Sequence, residues 1–162
     1  MSNPLSVLFL DVDGVLNGRP FLNEMCGEGL SAALSYEEMI NPECVARVNR
    51  IVKATGCQVV LSSTWRKWFN PEEMTELLKG KGATFTIFDR TDNTYRKGDG
   101  SWSRRGDEVT KWLREHPMVK DYCVIDDDLV KGHLNRQVVT SLTSNGIQDV
   151  HVDLAIKTLR GE

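Results

Sequence analysis

Short apolar runs alternate with amphipathic helical patterns along this chain, and few folds accommodate that alternation. Leu5–Leu10 and residues 57–61, 83–88 and 122–125 read as buried strands, with a fifth around 137–140. Helix signals separate most of them. Asn41 supplies an N-cap before Pro42, and Val45, Val48 and Val52 then recur on one face until Gly56, with Arg47, Arg50 and Lys53 opposite. Asn70-Pro71-Glu72-Glu73 offers a capping box to a helix carrying Met74, Leu77 and Leu78 up to Gly80. A third helix over 106–115 turns Val109, Trp112 and Leu113 inward and ends before Pro117; a fourth, near 148–160, stripes Val152, Ala155, Ile156 and Leu159. Strands joined through helices run parallel, so the expected fold is α/β: a doubly wound, mainly parallel five-stranded sheet with helices on both faces. Ligands in such sheets bind at the carboxyl ends of the strands.

With 162 residues, 40% of them hydrophobic, the chain has the material for one core and reads as a single domain over 1–162. A formal charge of −3 excludes a uniformly basic nucleic-acid coat, so a polyanionic partner must be met by a local strip. No apolar run reaches membrane-span length and no cationic leader precedes the first strand, which points to a cytoplasmic protein with no membrane partner. Cys26, Cys44, Cys57 and Cys123 show no zinc or disulfide spacing and read as packing residues, and His116, His133 and His151 form no pair or triad. Two polar insertions interrupt the alternation. Residues 17–40 read as a short flap, with helical stretches at 30–34 and 36–40, and residues 89–107 as a polar loop. Neither is long enough for a large cap domain, so the cleft is expected to admit bulky substrates.

The chemistry gathers at strand ends. The first strand closes on Asp11-Val12-Asp13-Gly14, and 122–125 runs into Asp126-Asp127-Asp128. Carboxylates clustered on neighbouring strand tips repel one another and raise one another's pKa, so a hard divalent cation, Mg²⁺, is expected among them. A third strand ends in Ser62-Ser63-Thr64, hydroxyl donors at the same edge. Cation and donors together suit a phosphoryl group. Capping of a turn is the structural reading of those same hydroxyls.

The order of these segments resembles that of the haloacid dehalogenase (HAD) superfamily of phosphohydrolases: Asp11-Val12-Asp13-Gly14-Val15, then Val59 to Ser62, a basic residue, then Ile125-Asp126-Asp127. The resemblance implies a Rossmannoid sheet of the HAD type and assigns roles. Asp11 would attack phosphorus to form an aspartyl-phosphate, and Asp13 would protonate the leaving oxygen and then activate water. Ser62 would hold a phosphoryl oxygen, and Asp126 with Asp127 would hold Mg²⁺ beside Asp11 and the Asp13 carbonyl. The basic position falls on Arg105, with Arg104, Lys97 and Lys111 as competitors. Further similarity, in "DVDGVLN", Ser62-Ser63-Thr64-Trp65-Arg66 and the region of Arg105, Glu108-Val109 and Trp112-Leu113, is to the small phosphatase-like domain of "Swiss army knife" RNA repair proteins.

That likeness implies a nucleic-acid end or a nucleotide as substrate. Ser63, Thr64 and Arg66 are candidate substrate contacts, and Trp65 and Trp68 offer either a stacking face for a base or an anchor for the next helix. The expected function is a Mg²⁺-dependent phosphomonoesterase, in the sharpest form a polynucleotide 3′-phosphatase, with a nucleotide or other small-molecule phosphatase as alternative. A receiver-like signalling module, in which a phosphorylated aspartate switches a partner surface, is the rival from another class; the order of the acidic motifs disfavours it. A kinase is disfavoured because Gly80-Lys81-Gly82 lacks the longer phosphate-loop pattern.

Overall fold

The computed structural model describes residues 5–27 and 34–162. Five strands, β1 (Leu5–Leu10), β2 (Gln58–Leu61), β3 (Ile87–Arg90), β4 (Val119–Asp126) and β5 (Gln137–Val139), form one all-parallel sheet in the order β3-β2-β1-β4-β5. β1 is central and lies between covered faces, which is why it is apolar at nearly every position. Leu8 and Leu10 point to the larger core, built with α2 (Pro42–Thr55), α3 (Pro71–Lys79) and α5 (Asp149–Leu159). Val7 and Phe9 point to the other face, where Val109 and Trp112 of α4 (Arg105–Glu115) cover them.

Chain direction across the sheet reverses between β1 and β4, and this switch point opens a crevice at the carboxyl ends of those two strands. The order also separates this sheet from a receiver domain, whose strands run 2-1-3-4-5.

α2 and α3 start where their caps predict. Asn41 Oδ1 accepts from the Glu43 N–H, and the Asn70–Glu73 capping box forms in both directions. Three boundaries differ. β3 begins at Ile87 rather than at 83, because helices claim the preceding backbone: Ala83 donates to Leu78 O, Thr84 to Asn49 Oδ1 and Ile87 to Thr75 Oγ1. β4 begins at Val119, three residues early, because it pairs with the whole of β1. The polar 89–107 segment is no plain loop: it completes β3 and then folds into a hairpin in which Arg96 and Trp102 pair antiparallel.

In the 17–40 insertion, α1 (Arg19–Cys26) is a helix the sequence reading lacked, carrying no buried residue. The expected helix at 36–40 is a single turn closed by Met39 and Ile40 N–H groups, and most of the one expected at 30–34 lies outside the described residues. Cys44, Cys57 and Cys123 are buried as packing residues; burial pushes their thiols up, to about 11 for Cys44 and about 12 for Cys123. No described helix is long and apolar enough to cross a membrane.

α4 is locked against the loop after β4 by Gly106, where an added Cβ would stand 2.0 Å from Lys131 O. Backbone must move to make room. Gly106→Ala should therefore lower stability by about 1–3 kcal/mol, measured by urea unfolding; an unchanged midpoint would show that this contact is slack.

Candidate active site at the carboxyl edge of the sheet

Parallel hydrogen bonding carries on one residue past the apolar strands, and it lines up the polar residues that follow them. Asp11 N–H donates to Ile125 O at 3.1 Å, Ser62 N–H to Leu10 O at 2.9 Å, Thr91 N–H to Leu61 O at 3.0 Å and Thr140 N–H to Asp126 O at 3.1 Å. One rim thus receives a functional group from every strand. Thr140 Oγ1 also donates to Gly14 O at 2.6 Å and holds the 11–17 turn in place. Gly14 has φ +79°, and a Cβ there would lie 2.4 Å from Asp127 Oδ2, so only glycine lets Asp127 approach.

Carboxylate oxygens of Asp11, Asp126 and Asp127 lie within 4.8 Å of one another. Asp11 and Asp126 are buried, and Asp127 is half-buried. Burial first, and then the charge of Asp126, raise the Asp11 carboxyl well above its ordinary pKa; Arg105 and the Val12 N–H at 2.8 Å pull the other way. Asp127 is raised for the same reasons, burial and then Asp126 and Asp128.

The fixed cation is Arg105, the first residue of α4. Its Nη1 lies 2.7 Å from Asp126 Oδ2 and from Ser62 O, and 3.5 Å from Asp11 Oδ1. Burial opposes its charge, but Asp11 and Asp126 outweigh that and hold it above its ordinary value. The competitors lie elsewhere: Arg104 is exposed, Lys97 pairs with Asp107, and Lys111 pairs with Asp92 and Glu115. Three carboxylates against one guanidinium leave two negative charges over hard oxygen donors, which fits a divalent cation.

The Asp13 carboxylate stands apart from that cluster. Its Oδ2 accepts from Trp65 Nε1 at 3.0 Å and its Oδ1 from Asn17 Nδ2 at 3.1 Å, while Asn17 Oδ1 accepts from the Gly14 N–H. Its carboxylate is thus oriented by two donors, and only its carbonyl is left for the metal role the resemblance assigned. Trp65 is correspondingly no stacking face: it is buried, packed against Tyr36 and Phe69, and its one polar atom points at Asp13.

The hydroxyls divide. Ser62 Oγ is buried with no hydrogen-bond partner, a state shared among the described residues only by Thr91 Oγ1. A buried hydroxyl without a partner costs free energy unless something else binds it. Ser63 Oγ instead accepts from Trp65 N–H and caps the short turn Thr64–Lys67, and Thr64 is exposed on that turn. This corrects Ser63 from substrate contact to cap.

Arg66 is corrected as well. Its guanidinium is 3% exposed and spent on protein acceptors: Ser63 O at 2.7 Å, Asp92 O at 3.0 Å and Glu108 Oε2 at 2.9 Å. Glu108 lies on α4 one turn from Arg105 and also accepts from Ser103 Oγ. Burial lowers the Arg66 pKa and raises that of Glu108, the cost such a pair bears when its geometry must be fixed. The pair ties the hydroxyl turn, the root of the hairpin and α4 together.

Asn17, Glu108 and Thr91 are participants that sequence reading did not single out, and Trp65 is one whose bond to Asp13 it did not foresee. Asn17 carried a signal, four residues after Asp13, whereas Thr91 follows a strand whose end at Arg90 the sequence placed at 88. Trp65 and Glu108 carried none, because their partners are 52 and 42 residues away.

A family model described as the HAD domain in Swiss Army Knife RNA repair proteins matches residues 7–152. No curated protein and no solved structure matches the chain.

Because the Asp11 value is raised on folding, its charge opposes folding in metal-free protein. The penalty is absent below the ordinary carboxylate range and grows as pH rises through the folded value. Asp11→Asn should thus melt a few degrees above wild type in EDTA at neutral pH, with the gap closing in acid. Scanning fluorimetry across pH checks this, and a variant that melts below wild type at neutral pH would contradict it.

Proposed function

The chain belongs to the HAD domains of Swiss Army Knife RNA repair proteins, and from that premise we propose that it is a Mg²⁺-dependent phosphomonoesterase working through Asp11 on the phosphorylated end of a nucleic acid. The observation that supports this reading is the meeting of Asp11, Asp126 and Asp127 with Arg105 and the unpartnered Ser62 Oγ at one switch point. Held by Asp11, Asp126 and Asp127, Mg²⁺ would neutralise charge on the phosphoryl oxygens. The remaining work falls to the chain.

An Asp11 oxygen attacks phosphorus as the bond to the leaving oxygen breaks, giving an aspartyl-phosphate on Asp11. Asp13 gives its proton to the departing oxygen, takes one from the water that next attacks phosphorus, and so restores Asp11 and frees inorganic phosphate. Arg105 lies 3.5 Å from Asp11 Oδ1 and offsets charge where nucleophile and phosphate meet, and Ser62 Oγ donates to a phosphoryl oxygen. Trp65 and Asn17 fix the carboxylate of Asp13, so its proton is delivered from a set position. The 17–40 insertion is too short for a large cap domain and its one described helix, Arg19–Cys26, buries none of its own residues, which favours a polymer end over an enclosed small molecule.

A panel of phosphoesters with Mg²⁺, and with EDTA as control, tests the reaction. Turnover of 3′-phosphorylated oligonucleotides that disappears in EDTA and in Asp11→Asn is expected; wild-type turnover by Asp11→Asn would refute the assignment. Trp65→Phe should cut kcat on alkyl phosphates by roughly ten-fold or more at little change in KM. Esters with acidic phenol leaving groups, which need no proton, should be spared. An equal loss on both would show that Trp65 serves only the core.

A further inference from the structure

Beside the carboxylate cluster lies a trough of about 630 Å³ between the hairpin, the first turn of α4 and the loop at 129–131. The two sites share a wall, because Arg105 lines the trough and also bonds Asp126 at 2.7 Å. Lys97, Arg104 and Lys131 bring three more cations against one carboxylate, Asp107. That carboxylate is already engaged: it accepts from the Arg104 backbone N–H at 2.8 Å and pairs with Lys97 at 3.4 Å. Arg104 and Lys131 are exposed and paired with no carboxylate among the described residues. In a chain of net charge −3, such a local cation excess is a feature facing an anion.

The second element is Trp102, an indole left 55% exposed on the trough wall. Pairing of Arg96 with Trp102 in the hairpin presents it there, and the Arg96 guanidinium lies 4.0 Å over the ring. The same indole borders a shallow cavity with Lys67, Asn93 and Thr94, so it stands as a ridge between two open spaces. The floor is closely packed, since a Cβ at Gly106 would stand 2.0 Å from Lys131 O and Gly106 O lies 3.1 Å from His133 Nε2. An exposed flat aromatic flanked by free cations matches the way single strands are bound, with bases on aromatic faces and phosphates on Lys and Arg. A phosphopeptide would use the cations and leave the indole idle.

We propose that this trough is a strand-binding subsite: the base next to the terminal phosphate stacks on Trp102, and the following phosphodiester is held by Arg104 and Lys131. The inference rests on the phosphatase reading and adds to it the polymer, single-stranded nucleic acid, and the residues that grip it.

Binding is measured apart from turnover, by fluorescence anisotropy of a 5′-labelled, 3′-phosphorylated oligonucleotide with the Asp11→Asn protein. Adding Trp102→Ala should weaken binding by roughly ten-fold. Arg104→Ala and Lys131→Ala should each weaken it and reduce the slope of log K against log salt by about 0.7. All three side chains are exposed, so the variants should fold, and in the otherwise wild-type protein each should keep p-nitrophenyl phosphate turnover within about two-fold. Equal oligonucleotide affinity in all variants, or tighter binding of a phosphopeptide of the same charge, would overturn the proposal. Intact p-nitrophenyl phosphate turnover with no oligonucleotide binding would overturn it while sparing the phosphatase reading. Trough-dependent binding without turnover of any ester would do the reverse.

Discussion

Mutual repulsion among Asp11, Asp126 and Asp127 is the constraint around which the rest is arranged. Two of the three are buried, where their charges are least affordable, and one guanidinium cannot balance them. The fold imposes the conflict through features with no electrostatic content of their own. Parallel ladders set Asp11 beside Ile125, Gly14 leaves space for Asp127, and Thr140 ties down the turn between. Stability given up at such a rim is the usual cost of a site that binds a cation and an anion together.

Around that cluster the supporting residues act at one remove. Arg66 and Glu108 join the hydroxyl turn to α4, so Ser62 and Arg105, 43 residues apart in sequence, hold a fixed relation and share a 2.7 Å hydrogen bond. Trp65 and Asn17 do the same for Asp13. The hairpin that carries Trp102 is rooted on this frame through Ser103, which bonds Glu108, and through Tyr95, whose hydroxyl reaches Asp107 O. A movement of the hairpin would therefore be felt at the start of α4.

Much of this was legible in the sequence, for a physical reason. Acids and hydroxyls placed directly after apolar strands have only one place to go in a parallel sheet, so Asp11, Asp126 and Ser62 could be assigned to one edge before any coordinates. Arg105 was singled out among Arg104, Lys97 and Lys111 only through the family resemblance, which sets a basic residue just ahead of the helix that leads into the second acidic strand. Side chains whose role depends on a distant partner were harder to place: Arg66 looked like a phosphate ligand although it is buried against Glu108, and Trp65 offered either a stacking face or an anchor, of which its burial bears out the anchor. β3 was placed early because Ala83 and Thr84 are bound by helices rather than by β2, a competition that strand propensity does not register.

The central claim is that Asp11 carries the phosphoryl group between substrate and water. Rapid acid quenching during turnover with Mg²⁺, followed by peptide mapping by mass spectrometry, observes that state directly. The account predicts one phosphoryl group on the peptide containing Asp11, appearing before inorganic phosphate accumulates. Steady release of phosphate with that peptide unmodified at every quench time, or with the group on another residue, would contradict it.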